Sequence, residues 1–172
     1  MNFKIMPASH DDISEIIAID KKTFMEMVDT DWYSNDCVNP KFLNFLMDGN
    51  GFVVKVVMNN QIVGFGMAEV KIDPKNSPIS FLHLNDDITV CGEIDNVLVS
   101  SSVRGYSLQK KIMSYLEEMF LSDTSIQILY TTVHPDNSYS LNNCLQLGYQ
   151  KVMEASLYGG KRRVVLEKRI RV

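Results

Sequence analysis

Positive charge is in short supply in this chain: 17 Lys and Arg stand against 21 Asp and Glu, for a net charge of −4. No broad basic footprint is available for a phosphate backbone, which argues against nucleic acid as the main partner. Cysteine is equally thin. Cys37, Cys91 and Cys144 are odd in number and far apart, with no Cys-x-x-Cys pair and no histidine at ligand spacing. Neither a disulfide framework nor a metal site is expected, and three free thiols suit a reducing cytoplasm. The histidines His10, His83 and His134 show no partner spacing, and His134 beside Pro135 reads as structural. No apolar run approaches membrane-spanning length. The opening Met1–Pro7 is too brief and too polar for a signal peptide.

What the chain does have is apolar material for one core. Its 172 residues are 45% hydrophobic and 22% charged, the make-up of a soluble globular domain. No repeat, low-complexity tract or linker divides it, so residues 1–172 are expected to form a single domain. Phe3–Met6 reads as a strand closed by Pro7, and Ser9 with Asp12 as a capping box opening a helix. Ile13, Ile16, Ile17 and Phe24 fall on one face of that helix. Asp29–Asn39 is rich in turn formers and reads as a loop. Pro40 starts a second helix carrying Phe42, Leu43, Phe45, Leu46 and Met47 to Asp48-Gly49. The β-rich runs Phe52–Met58 and Ile62–Ile72 are joined by Asn59-Asn60-Gln61, a hairpin signal.

Asp73–Asp86 reads as a long loop. Glu93–Val99 is then a central strand, followed by a helix whose apolar stripe is Leu108, Ile112, Tyr115, Leu116, Met119 and Phe120. Ile126–Val133 is the next strand, and the helical crossover between the two predicts that they run parallel. Asn137–Leu147 gives another helix, with Leu141, Cys144 (or Leu145) and Leu147 inward and Gly148 ending it in a left-handed turn. Tyr149–Tyr158 and Arg162–Ile170 meet at Gly159-Gly160 as a closing hairpin. The short basic clusters Lys161-Arg162-Arg163 and Lys168-Arg169 read as solvated strand ends.

The most informative stretch is Glu93–Val99, the short loop ending in Arg104-Gly105, and the helix after it. A strand turning directly into a helix aims several backbone N–H groups at one point, with the positive end of the helix dipole behind them. Gly105 allows close approach of an anion and Arg104 adds a full charge. Strict alternation places Glu93, Asp95, Val97 and Val99 on one strand face and Ile94, Asn96 and Leu98 on the other. Two acids on one face of a central strand need a reason. One is general-base chemistry on an ammonium substrate. The other is structural, with Glu93 in solvent at the start of the strand and Asp95 capping a neighbouring backbone.

Val99 followed by Arg104-Gly105-Tyr106-Ser107-Leu108-Gln109 resembles the acetyl-CoA loop of the GNAT superfamily of N-acetyltransferases. That loop runs Val, four residues, then Arg-Gly-x-Gly-x-Gly/Ala and a helix. Ser107 and Gln109 stand where the family has small residues. Asn137, Ser140 and Gly148-Tyr149 are similar to the family's following helix and strand, with Cys144 in place of a tyrosine. The order of elements agrees along the whole chain. The resemblance implies a mixed α/β (α+β) domain: a mostly antiparallel central sheet with a splayed parallel strand pair and helices on both faces. It implies acetyl-CoA as co-substrate, with its pantetheine arm along Val97, Leu98 and Val99. Its pyrophosphate would rest on Arg104, Gly105, Tyr106, Ser107, Leu108 and Gln109, with Asn137 and Ser140 beside the arm. A backbone N–H near Val97 would polarise the thioester carbonyl.

The same resemblance implies an enzyme that acetylates a primary amine by direct attack in a ternary complex. Glu93 would act as base, with Asp95 second, and Cys144 as a weak acid, with Tyr139 in reserve. The acceptor would be a small-molecule or peptide amine. Asp29, Asp31, Trp32, Tyr33 and Asp36, with Asp86-Asp87, are candidates for an acidic, aromatic mouth favouring a cation. Solvated loop residues are the alternative. A non-catalytic acyl-CoA-binding module and a nucleotide-binding α/β domain remain open, although the latter lacks a Gly-x-Gly-x-x-Gly run and a phosphate-loop lysine. A monomer or homodimer in the cytoplasm is expected.

Overall fold

The computed structural model describes residues 2–34, 38–70, 72 and 87–171. The strands are β1 (Lys4–Pro7), β2 (Gly51–Met58), β3 (Gln61–Glu69), β4 (Cys91–Val99), β5 (Ile128–Val133), β6 (Gln150–Leu157) and β7 (Lys161–Arg169). They form one seven-stranded sheet in the order β1-β2-β3-β4-β5-β7-β6. Every pairing is antiparallel except that of β4 with β5, as the crossover required. The helices are α1 (Ile13–Met25), α2 (Pro40–Phe45), α3 (Leu108–Asp123) and α4 (Ser138–Gln146). The expected loop over Asp73–Asp86, with His83, lies outside the described residues, as do Asp36 and Cys37.

Local chemistry accounts for most boundaries. The Ser9 N–H and hydroxyl both donate to the Asp12 carboxylate, at 2.7 and 2.9 Å, ahead of α1. The Asn39 side chain accepts from the Phe42 N–H and caps α2, with Pro40 at its first position. Asn59 and Asn60 take φ of 50° and 62°, giving the twist a two-residue hairpin loop needs. Gly148 ends α4 at φ 90°.

Two layers of helix cover the sheet. Ile13, Ile16, Leu43 and Leu46 pack on Phe65, Met67 and Leu98 of one face. Ile112, Leu116 and Phe120 of α3 pack on Val54, Ala68 and Ile94 of the other, where Cys144 of α4 also lies. Gly66 and Gly92 let α3 settle on the sheet. A Cβ there would stand 2.4 Å from Ile112 Cγ2 and 2.6 Å from Phe120 Cε1. The buried face of α1 is rotated from the expected one: Ile19, Asp20 and Thr23 join Ile13 and Ile16, while Ile17 and Phe24 are only partly covered. Asp20 tolerates burial because its carboxylate accepts from the Tyr33 hydroxyl at 2.7 Å. In α4, Cys144 is the inward residue and Leu145 is exposed.

Candidate active site

The parallel pair is short. β4 and β5 pair from Cys91↔Ile128 to Ile94↔Thr131 and no further, although β4 continues to Val99 and β5 to Val133. The Thr131 hydroxyl donates to the Ile94 carbonyl at 3.0 Å and marks the base of the fork. Beyond it the strands separate, and a cavity of about 1330 Å³ opens between them. Val97, Leu98 and Val99 line its β4 wall and Thr132 and Val133 its β5 wall. Among the described residues, the edge of β4 that faces the cavity has no strand partner after Ile94, while its other edge pairs with β3.

The β4 faces differ from strict alternation. The register with β3 passes from Ala68↔Ile94 to Met67↔Asn96, leaving Asp95 as an extra residue in a β-bulge. Ile94 therefore shares the α3 side with Val97 and Val99, and Glu93, paired with Glu69, shares the opposite side with Asn96 and Leu98. Glu93 is not in solvent; it is 1% exposed. Asp95 Oδ2 is buried and caps nothing. One carboxylate oxygen from each of Glu69, Glu93 and Asp95 lies within 4.8 Å of the others. Burial, then the charges of Glu93 and Glu69, push the Asp95 carboxyl well above the usual carboxylate range. This triad offers hard oxygen atoms only, suited to an ammonium or a hard divalent cation.

At the other end, the Arg104–Gln109 turn leads into α3. Gly105 has φ 88°, and Ser107, the residue before the helix, sits in the left-handed region at φ 56°, ψ 27°. Glycine adopts this conformation without strain, and Ser107 adopts it at a cost. The first helical hydrogen bond runs from Lys111 N–H to Ser107 O. The earlier amides of the helix are therefore presented at its open end, which borders the cavity through Arg104, Gly105, Ser107, Leu108 and Gln109. Tyr106 turns away and packs its ring 5.2 Å from Phe3.

Helix α4 borders the same space. Asn137 caps it, accepting from Ser140 N–H at 3.2 Å, and also lines the cavity. Gln109 ties the two helices together: its amide donates to Ser140 Oγ at 3.0 Å and accepts from Asn143 at 2.7 Å. The larger side chain at position 109 therefore has a structural use. Cys144 lies at the cavity wall, 1% exposed, and burial followed by the Glu117 charge pushes its thiol up to about 12. Tyr139 also borders the cavity but is exposed.

Of the expected acidic mouth, Asp29, Trp32 and Tyr33 line the cavity, whereas Asp31 and Asp87 do not. The exposed Asp87 carboxylate accepts instead from the Thr89 N–H and hydroxyl. Two residues not singled out from the sequence belong to this end. Glu69 closes a strand of buried residues, and an acid in such a run was a readable signal. Arg163 sits among residues read as solvated, yet it is 3% exposed and lines the cavity beside Tyr158. Its guanidinium lies over the Tyr158 ring at 5.5 Å. Burial lowers its pKa from the usual guanidinium value, and nearby Tyr158 and Asp31 act the other way. Lys168 is likewise no solvated end, since it pairs with Glu117 at 2.6 Å.

Known proteins match this architecture. The chain superposes on an N-acetyltransferase from Staphylococcus aureus Mu50 with TM-score 0.76 at 13% identity, covering 99% of this chain and 100% of that one. The yncA protein of Salmonella typhimurium, solved with its cofactor acetyl-CoA, gives TM-score 0.73 at 14% identity, covering 100% and 96%. The PaiA N-acetyltransferase of Thermoplasma acidophilum, in complex with coenzyme A, gives 0.68 at 13%, covering 98% and 99%. No curated protein sequence matches. The sequence model of the acetyltransferase (GNAT) family matches residues 13–149, a span that takes in the forked strands, the Arg104–Gln109 turn and α4, and the chain belongs to that family.

Proposed function

We propose that the protein moves the acetyl group of acetyl-CoA onto a primary amine by direct attack in a ternary complex. The observation that carries this reading is the fork after Ile94↔Thr131, whose open strand edge leads to the anion-competent turn at Arg104–Gln109. The pantetheine arm lies along Val97–Val99 and pairs with that edge, with Asn137 and Ser140 beside it. Arg104 and the first amides of α3 hold the pyrophosphate. A backbone N–H near Val97 faces the thioester carbonyl oxygen and stabilises the charge that develops there.

The amine arrives as an ammonium at the carboxylate end of the cavity. It gives up a proton, its nitrogen attacks the carbonyl carbon, and the carbon–sulfur bond breaks to release coenzyme A. Glu93 and Asp95 act as a pair in the first step. A carboxyl whose pKa is raised by burial and like charge lies closer to that of an ammonium, which lowers the uphill cost of proton transfer. Asp95 takes the proton in its ionised form, with Glu93 adjoining it. For the departing sulfur, a Cys144 thiol near 12 is a poor donor. Protonating a thiolate of ordinary pKa, about 8.5, from such a group is uphill by about 5 kcal/mol. Tyr139, exposed at the cavity border, is the alternative acid, and a thiolate also leaves unaided.

That weak acid favours a second reading, a module that binds acyl-CoA without turning it over. Free-thiol release from acetyl-CoA, followed with a thiol-reactive chromophore across a panel of amines, separates the two. Amine-dependent release supports the transferase. Tight coenzyme A binding with no release from any amine supports the module.

A further inference from the structure

Among the described residues, an arginine and an aspartate in this cavity each keep a buried polar atom without a hydrogen-bond partner. Arg163 is buried, and its Nη2 has no hydrogen-bond partner, while Nη1 donates to the Arg162 carbonyl at 2.7 Å. Among the described residues no carboxylate lies within ion-pair range, 4.0 Å, of its guanidinium. At the carboxylate triad, Asp95 Oδ2 is also buried without a partner. Both residues line the same cavity. A buried guanidinium with an unmet donor is costly to a folded protein unless something else supplies the anion, and a buried carboxylate with an unmet acceptor is costly in the same way. The two residues sit on β7 and β4, with β5 between those strands in the sheet, and no ion pair joins them.

We infer that the amine acceptor also carries a carboxylate, that its ammonium sits at Glu69, Glu93 and Asp95, and that its carboxylate binds Arg163. The acceptor class is therefore a free amino acid or a similar amino-carboxylate. A diamine or polyamine would bring a second cation against a buried guanidinium. The centre of the Tyr158 ring lies 5.5 Å from the guanidinium carbon and the ring restricts its movement on that side, which favours bidentate recognition of a carboxylate by the planar fork. Trp32 and Tyr33 border the remaining space and would meet the side chain of the amino acid. This inference rests on the amine-acetylation reading, and its test keeps the two separable.

The test compares amino acids with their carboxamides and with linear diamines, in wild type and in Arg163→Gln and Arg163→Lys. In wild type, kcat/KM for the best amino acid should exceed that of its carboxamide by about tenfold or more, mainly through KM. Arg163→Gln should bring that ratio close to one, and Arg163→Lys should restore part of it. Coenzyme A affinity in each variant, by calorimetry, certifies the fold. Calorimetric titration of the same amino acids into the coenzyme A complex reads the inference even if no acetyl transfer occurs. Binding of the free acid that Arg163→Gln abolishes supports the inference. Diamines or carboxamides preferred in wild type, or Arg163→Gln lowering both members of a pair equally, overturns it. No thiol release from any amine, with amino-acid binding intact, overturns the transferase reading alone.

Discussion

Replacing Asp95 with asparagine should make the protein more stable and less active, and the gain should grow with pH. The native carboxyl holds its proton more tightly than the unfolded one, because burial and the neighbouring Glu93 and Glu69 oppose its charge. Below the unfolded value both states hold the proton and Asp95 makes no pH-dependent contribution. As pH rises from there through the raised native value, the unfolded chain releases a proton that the native state retains or gives up only at a cost. Stability falls over that window and stays lowered above it. In Asp95→Asn the side chain would carry no charge, and its amide can donate to the adjoining carboxylates. The unpartnered buried oxygen is the cost being removed, about 1–3 kcal/mol. For a chain of this length that corresponds to about 2–10 °C in melting temperature. Thermal melts of both proteins between about pH 5 and about pH 8 should show a difference that widens toward the alkaline end. Turnover of the variant should drop by about 10²-fold or more, as expected when a general base is removed. A variant that melts below wild type throughout, or a difference that does not change with pH, would refute the reasoning.

Other outcomes follow from the cofactor end. Arg104→Ala should raise the apparent acetyl-CoA constant by about tenfold with the melting temperature unchanged, read by initial rates and scanning fluorimetry. Gly105→Val should do the same with some loss of stability, because φ 88° is strained for a branched residue. Ser107→Gly removes a left-handed serine whose side chain makes no cap hydrogen bond, worth about 1–2 kcal/mol. Glycine's greater unfolded freedom takes back about 0.5–1 kcal/mol, so melting should rise by roughly a degree or two. A fall would mean the loop needs the serine. Tyr139→Phe should lower kcat by about tenfold while Cys144→Ala stays within about threefold of wild type; the reverse order would return the acid role to Cys144.

The order of elements was legible because each carries its own local signal: the Asn59-Asn60 turn, the Pro40 helix start, the period of Leu108 to Phe120. The parallel pair followed from the helix between its strands. The turn at Arg104–Gln109 was legible as a strand-to-helix junction, and Gly105, read there as allowing close approach, takes φ 88°. What failed had non-local causes. Period-two counting put Val97 and Val99 with Glu93, because an extra residue in one strand leaves no mark on the strand's own composition. Arg163 reads like Arg162 next to it, and which of the two is buried depends on which face of β7 turns to the cavity. The tilt of α1 toward Ile19 and Thr23 likewise depends on Asp20 meeting Tyr33, thirteen residues away.

The bulge links the two halves of the site. Ile94 is the last residue of β4 to pair on both edges, with Ala68 on β3 and Thr131 on β5. The next residue, Asp95, pairs on neither. A bulge bends its strand and tightens its twist, so an insertion at this point is placed to swing β4 away from β5 as the fork begins. The extra residue is itself the third carboxylate, beside Glu69 and Glu93, and it returns Val97 and Val99 to the α3 side. The bulge thus coincides with the start of the open space and adds Asp95 to the acids at its end. The stability lost at Asp95 is the energetic trace of that arrangement, which is why its removal should raise the melting temperature and lower turnover together.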